Sequence, residues 1–269
     1  MRALLIAPLL WLMTLPALAD ARLTVLVDLL QLREAATILR DEGQAHAETL
    51  NRDMLNGQGG PGFQAQLGQI YDVERMVETV RKGLAEGLEP AEIEAAIAFY
   101  ASDLGTRIIE YENAARATIS DTVAEAAARE QYVLNRDKQK AKIAQITRLI
   151  EAGDMVGRNV STTLNSNFQF LRGLRDGGAI DDSEADLLAG VAAEWDSVTE
   201  DTDGWLRAYM LLAYHPLDTQ ALSTYADFAE TEAGRALNAA LFAGFGRAYE
   251  DISYALGRAV ALNMTAEDL

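Results

Sequence analysis

Apolar residues recur at intervals of three and four along nearly the whole chain, and the strict alternation of a half-buried strand occurs almost nowhere. That spacing places them on one side of a helix. Val25, Leu29, Leu32, Ala36 and Leu39 make one apolar face, and Val73, Met76, Val77, Val80 and Leu84 another. Ile93, Ala96, Ile97 and Tyr100 follow, and then a long stripe runs through Leu104, Ile108, Tyr111, Ala115, Ile119, Thr122 and Ala126. The later half repeats the style at Ile143, Ile146, Leu149 and Ile150 and at Val156, Val160, Leu164, Phe168 and Leu171. A last helix carries Leu237, Leu241, Phe245, Ala248, Ile252, Leu256 and Val260. The expectation is an all-α protein, a multi-helix bundle of about nine or ten helices.

The punctuation between these stripes agrees. "NGQGGPGF" (56–63) and "RDGGAIDD" (175–182) are glycine-rich breaks. Asp181 with Glu184 is spaced as a capping box opening a helix that reaches Trp195. Glu89 before Pro90, and Asp218 later, supply further helix starts.

Two of these helix starts belong to a repeated block. Aligning Phe99 with Phe228 also aligns Leu88 with Leu217, Ser102 with Thr231, Asp103 with Glu232, Gly105 with Gly234 and Ile108 with Leu237. The hydroxyl residue can cap the backbone N–H groups of a new helix, and the acid behind it suits the positive end of the helix dipole. A glycine inside a helix costs on the order of 1 kcal/mol relative to alanine. Something must approach its backbone closely enough to offset that cost. Phe99, Ser102, Gly105, Phe228, Thr231 and Gly234 therefore define a near-loopless corner between helices, built twice. The expected organisation is a leader over 1–19, a first helical unit over 20–137 and a related second unit over 138–269.

"EIEAAIAFYASDLGTRI" resembles the signature of the bacterial family called domain of unknown function 2059, in which a helix ending in Phe-Tyr meets a Ser-Pro-x-Gly corner. Phe99, Tyr100, Ser102 and Gly105 match that pattern, and Asp103 stands where the family often has proline. The resemblance covers roughly residues 70–130, with an echo near 205–260 in which Ala229 replaces the tyrosine. It implies a small, helical, exported protein and brings no activity, substrate or catalytic residue.

"MRALLIAPLLWLMTLPALAD" opens with Arg2, continues with an apolar run from Leu4 to Leu15 and ends in Ala17-Leu18-Ala19, the pattern of a cleaved secretory leader. Pro8, Pro16 and the shortness of the run argue against a membrane-spanning helix. Cleavage after Ala19 would remove Arg2 and no acid, leaving 22 basic against 41 acidic side chains. Such negative charge disfavours nucleic acid and anionic lipid as partners. The absence of cysteine suits an oxidising compartment. The expected location is the periplasm or the medium, with no transmembrane segment after cleavage.

The chemistry-bearing motifs are sparse. His46 and His215 are the two histidines, too isolated to assemble a usual zinc set. There is no Gly-x-Ser-x-Gly elbow and no Gly-Lys-Ser/Thr after the glycine-rich loop. Placing Gly204 of "EDTDGW" sixth in a calcium loop puts Thr199 first and Met210 twelfth, where acids are needed. That stretch is expected to be an acidic helix start. Asp181, Asp182 and Glu184 read as capping, and the lysines of "RDKQKAK" as a solvated junction. Gly244 four residues before Ala248 predicts close helix packing. No catalytic, cofactor or metal residue is assigned. The leading reading is a non-enzymatic module binding an unknown protein or apolar ligand, or supporting the envelope. The alternatives are a carboxylate-dependent envelope hydrolase and an apolar-ligand carrier. A close acid pair in a deep cavity would favour the hydrolase, and an apolar cavity the carrier. A filled core with an exposed groove would favour the protein-binding module.

Overall fold

A computed structural model describes the backbone of residues 14–266 and the side chains of residues 20–264. All regular structure among the described residues is helical, in thirteen helices. They are α1 (Thr14–Leu29), α2 (Leu32–Met54), α3 (Gly60–Ile70), α4 (Val73–Gly87), α5 (Pro90–Tyr100), α6 (Asp103–Ile119) and α7 (Thr122–Asn135). Then come α8 (Lys140–Ala152), α9 (Met155–Asp176), α10 (Glu184–Ala193), α11 (Trp195–Ala213), α12 (Thr219–Ala229) and α13 (Glu232–Ala266). Of the expected leader, residues 1–13 lie outside the described residues, and 14–19 form the start of α1.

The count exceeds nine or ten in part because two apolar stripes conceal breaks. Gln31 adopts a left-handed conformation, φ 48°, and separates α1 from α2. As a result α1 buries Leu23 and Leu26, the turn after it buries Leu30, and Val25 of the expected face is exposed. The stripe from Leu104 to Ala126 breaks at Ser120–Asp121. There the Asp121 carboxylate accepts from the N–H groups of Val123 and Ala124, at 3.0 and 2.9 Å, and starts α7. Thr122 and Ala126 consequently face solvent.

Two other helix starts need correction. The cap of α10 is Ser183, whose Oγ accepts from the Asp186 N–H at 3.2 Å, so Asp181 and Glu184 make no capping box. "EDTDGW" lies inside α11 and starts nothing. Its Asp201 and Asp203 pair with Arg129 and Arg207. At Glu89 and Asp218 the caps form as the sequence suggests.

The longest helix, α13, packs along α9 and α4 and reaches α5. A Cβ at Gly83 would lie 2.7 Å from the Gly244 Cα, and one at Gly244 would lie 2.8 Å from the Val80 Cα. Glycine at this crossing lets the backbones of α4 and α13 touch. Leu237 and Ala240 of α13 thereby join a core built from α1, α4 and α5. A second core combines Ile108 and Ala115 of α6 with residues of α8, α11 and α12. The 137/138 boundary falls in the turn between α7 and α8. Both cores nevertheless contain residues from either side of it.

Candidate functional site

The two repeated corners have one geometry. Ser102 Oγ accepts from the Gly105 N–H at 3.1 Å and donates to the Phe99 carbonyl at 2.6 Å. Thr231 Oγ1 accepts from the Gly234 N–H at 3.0 Å and donates to the Phe228 carbonyl at 2.6 Å. Each hydroxyl caps the new helix while tying down the end of the old one. A Cβ at Gly105 would lie 2.4 Å from the Phe99 carbonyl oxygen and 2.5 Å from the Tyr100 Cα. At Gly234 the corresponding approaches are 2.2 Å to the Phe228 oxygen and 2.8 Å to the Ala229 Cα. What comes close is the last turn of the preceding helix itself. The corners then meet: the rings of Phe99 and Phe228 stack with centroids 4.1 Å apart and planes 5° from parallel. Tyr100 sets its edge against both rings.

Beside this stack lies a half-open cavity of about 340 Å³, walled by α2, α5, α6, α9, α11, α12 and α13. Tyr100, Phe228, Ala229 and Gly234 of the corners belong to its lining, so the repeated motif frames it. Most of the remaining wall is aliphatic or aromatic, including Leu32, Ile109, Met210, Leu241, Phe242 and Phe245. A volume of this order suits a small organic molecule.

Its polar centre is Glu112 on α6. The Tyr214 hydroxyl donates to Glu112 Oε1 at 2.5 Å and the Tyr225 hydroxyl donates to the same oxygen at 3.2 Å. Tyr209 donates to the Glu112 main-chain carbonyl at 3.2 Å. Desolvation holds the Glu112 carboxyl above the usual glutamate range, and the bonds from Tyr214 and Tyr225 pull it back in part. Burial first, and then the neighbouring Glu112 charge, raise the phenols of Tyr100, Tyr209, Tyr214 and Tyr225. Tyr214 closes α11, whose end is held by Lys142 donating to the carbonyls of Tyr214 and His215 at 3.2 and 2.9 Å. One lysine of the expected solvated junction is thus a helix cap.

One turn along α6 from Glu112, Arg116 donates through Nε and Nη2 to both carboxylate oxygens of Glu42 on α2, at 2.7 and 2.6 Å. The Trp205 ring lies under its guanidinium, 5.1 Å to the centroid. Burial works against the Arg116 charge, but Tyr249 and Glu42 outweigh it and hold the group protonated. Arg116, Asn159, Thr162, Trp205 and Tyr249 also line a wider outer cleft of about 900 Å³. Cavity and cleft share these five residues and so adjoin at Arg116, with Glu42 on the cleft side. His46 borders that cleft and is exposed, and His215 is exposed at the end of α11. Among the described residues no three His, Cys, Asp or Glu side chains are placed to hold a metal ion.

Of the cavity's polar groups, Tyr100, Glu112 and Arg116 fall in a segment with a family match, whereas Tyr209, Tyr214 and Tyr225 do not. Residues 74–131 match the model of a family of uncharacterized proteins conserved in bacteria, DUF2059. The match takes in Phe99, Ser102, Gly105, Glu112 and Arg116. It does not extend to the second corner at Phe228, Thr231 and Gly234. No curated protein and no solved structure matches the chain. In this structure the matched segment supplies α6 with Glu112 and Arg116, while α11, α12 and α13 close the cavity over it.

Reading the sequence missed Glu112, Arg116, Glu42, Trp205, Tyr209 and Tyr214 as a site. The available signal was an acid on a core face: Glu112 follows Ile108 by four residues and precedes Ala115 and Ile119 by three and seven. Among many capping and surface acids, that one interrupts an apolar stripe.

Proposed function

We propose that the protein is a non-enzymatic module that binds a small ligand with an apolar body in the cavity between its corners. The carrying observation is the cavity itself: about 340 Å³, mostly apolar in its walls, with one carboxyl group held by two tyrosines inside. Of the readings open at the sequence level, this supports the ligand carrier over the protein-docking module. It also weighs against a two-carboxylate hydrolase, because Glu42 is bound on both oxygens by Arg116 and leaves Glu112 without a partner acid. The test is titration with the apolar fluorophore N-phenyl-1-naphthylamine. Saturable fluorescence enhancement is expected for the natural chain and a loss of about tenfold or more in affinity for Ala35→Phe, which projects a ring into the cavity wall. No saturable signal, or equal affinity in the filled variant, would overturn the reading.

Two further parts of the proposal rest on the sequence pattern. The leader-like Arg2, Leu4–Leu15 and Ala17-Leu18-Ala19 support action outside the cytoplasm after cleavage. No helix among the described residues is long and apolar enough to cross a membrane. Intact mass of the exported chain should begin at Asp20, and a full-length chain held in the membrane fraction would refute this. The matching corners at Gly105 and Gly234 support two divergent copies of one helical unit.

A further inference from the structure

We propose that copies of this chain associate end to end, the basic end of α11 in one copy seating on the acidic end of α11 in the next. Large apolar side chains are exposed at seven positions among the described residues. Four of the seven fall at these ends as two pairs, Val133 with Leu134 and Leu188 with Trp195, each residue about half exposed. Scattered singly, such residues are ordinary. Here each pair is set among unpaired charges of one sign, and the two signs are opposite. None of the four residues lines the ligand cavity.

The acidic end lies where α10 runs into α11. Residues 177–206 contain nine acids and no lysine or arginine. Glu184, Asp201 and Asp203 are answered by Arg175, Arg129 and Arg207. The other six, Asp181, Asp182, Asp186, Glu194, Asp196 and Glu200, are exposed and make no ion pair. Leu188 and the exposed Ala192 share a face of α10, and Trp195 follows at the start of α11. At the basic end, Arg136, Lys138 and Lys140 follow Val133 and Leu134 across the turn from α7 to α8. They too are exposed and make no ion pair. Lys142, holding the carbonyls of Tyr214 and His215, fixes that turn against the C-terminal end of α11. Glu130 a turn back on α7, Asp137, and Asp218 near Lys142 are outnumbered by these four bases, in a chain whose net charge is −18. The nineteen residues of α11 set the two ends roughly 28 Å apart, so they cannot meet within one molecule. Each end supplies what the other needs, an apolar pair to cover and charges to answer. A second copy carries both complements, which singles it out as the occupant. The overall negative charge opposes approach, but at 0.15 M salt screening confines that repulsion to about 8 Å.

Sedimentation velocity of the purified chain, from micromolar to submillimolar concentration, tests this. The natural chain is expected to sediment faster as concentration rises. Lys138→Glu with Lys140→Glu disables the basic end, and Leu188→Ser with Trp195→Ser disables the apolar pair of the acidic end. Each double variant alone should self-associate about tenfold or more weakly. Mixed, the first keeps its acidic end and the second its basic end, so they should form pairs and nothing larger. Zero-length carbodiimide cross-linking of the natural chain needs no variant. With one population of copies labelled with nitrogen-15, links from Lys138 or Lys140 to Glu194 or Asp196 should join labelled to unlabelled copies. A natural chain that stays single throughout would overturn the proposal. So would folded variants that associate as the natural chain does, a mixture no heavier than its parts, or links between copies that all fall elsewhere.

Discussion

Glu112 shows how one residue can carry opposing demands. Its depth favours the protonated acid, whereas two phenol donors on one oxygen, one at 2.5 Å, favour the carboxylate. Desolvation prevails, so the folded chain holds this proton to higher pH than the unfolded chain does. Stability from that difference is complete below the ordinary glutamate range and is lost as pH rises through the raised value. Glutamine at 112 has no such dependence. The stability of Glu112→Gln relative to the natural chain should therefore improve with rising pH, by about 1.4 kcal/mol for each unit by which Glu112 is raised. Urea unfolding across a pH series measures it, and a pH-independent difference would show that the carboxyl is not desolvated. The tyrosines around it follow a simpler rule. Tyr214→Phe removes a charge-assisted bond and should cost about 1.5–3 kcal/mol in the same assay. A change within error would remove Tyr214 from the account.

Among the helices, the corners were the most legible elements and the breaks the least. Ser102 and Gly105, with Thr231 and Gly234, could be read because local chemistry fixes them: a cap at the first position and a close approach in the first turn. The break at Gln31 could not be read, because a left-handed glutamine is imposed by packing and carries no residue-type signal. At Ser120–Asp121 the cap was visible in principle, but the apolar period ran on through Thr122 and hid it. The site was illegible for a related reason. Glu42, Glu112, Arg116 and the tyrosines 209, 214 and 225 come from α2, α6, α11 and α12, and only folding brings them together. The corner geometry gives a sharp expectation. Even one methyl group at Gly105 must displace the main chain of the preceding turn, so Gly105→Ala should destabilise by about 1–3 kcal/mol despite alanine's better helix propensity. Alanine at exposed Gly190, where a Cβ meets nothing within 4 Å, should instead stabilise slightly. Chemical denaturation of both variants tests the contrast, and a raised midpoint for Gly105→Ala would refute the close approach.

At the scale of the whole molecule, the repeated corners do not divide the chain into separate bodies. Phe99 and Phe228 stack on each other and pack against both main cores. Leu237 and Ala240 complete the core begun by α1, α4 and α5, and Ile108 and Ala115 enter the core of α8, α11 and α12. Arg129 with Asp201 and Arg247 with Glu86 bridge the same divide at the surface. Exposed ion pairs of that kind contribute little, so the apolar cores dominate the coupling. The cavity exists only where the halves meet, since α2, α5 and α6 supply Leu32, Tyr100, Glu112 and Arg116 while α9, α11, α12 and α13 supply most of the remaining wall. Residues 20–137 and 138–269 expressed singly should each expose half of two cores and lack a cooperative urea transition by far-UV circular dichroism. Mixed in equal amounts, they should regain one transition together with N-phenyl-1-naphthylamine binding. Sigmoidal unfolding of either fragment alone, at the midpoint of the whole chain, would mean that the halves are independent domains and that the shared cores add nothing to their stability.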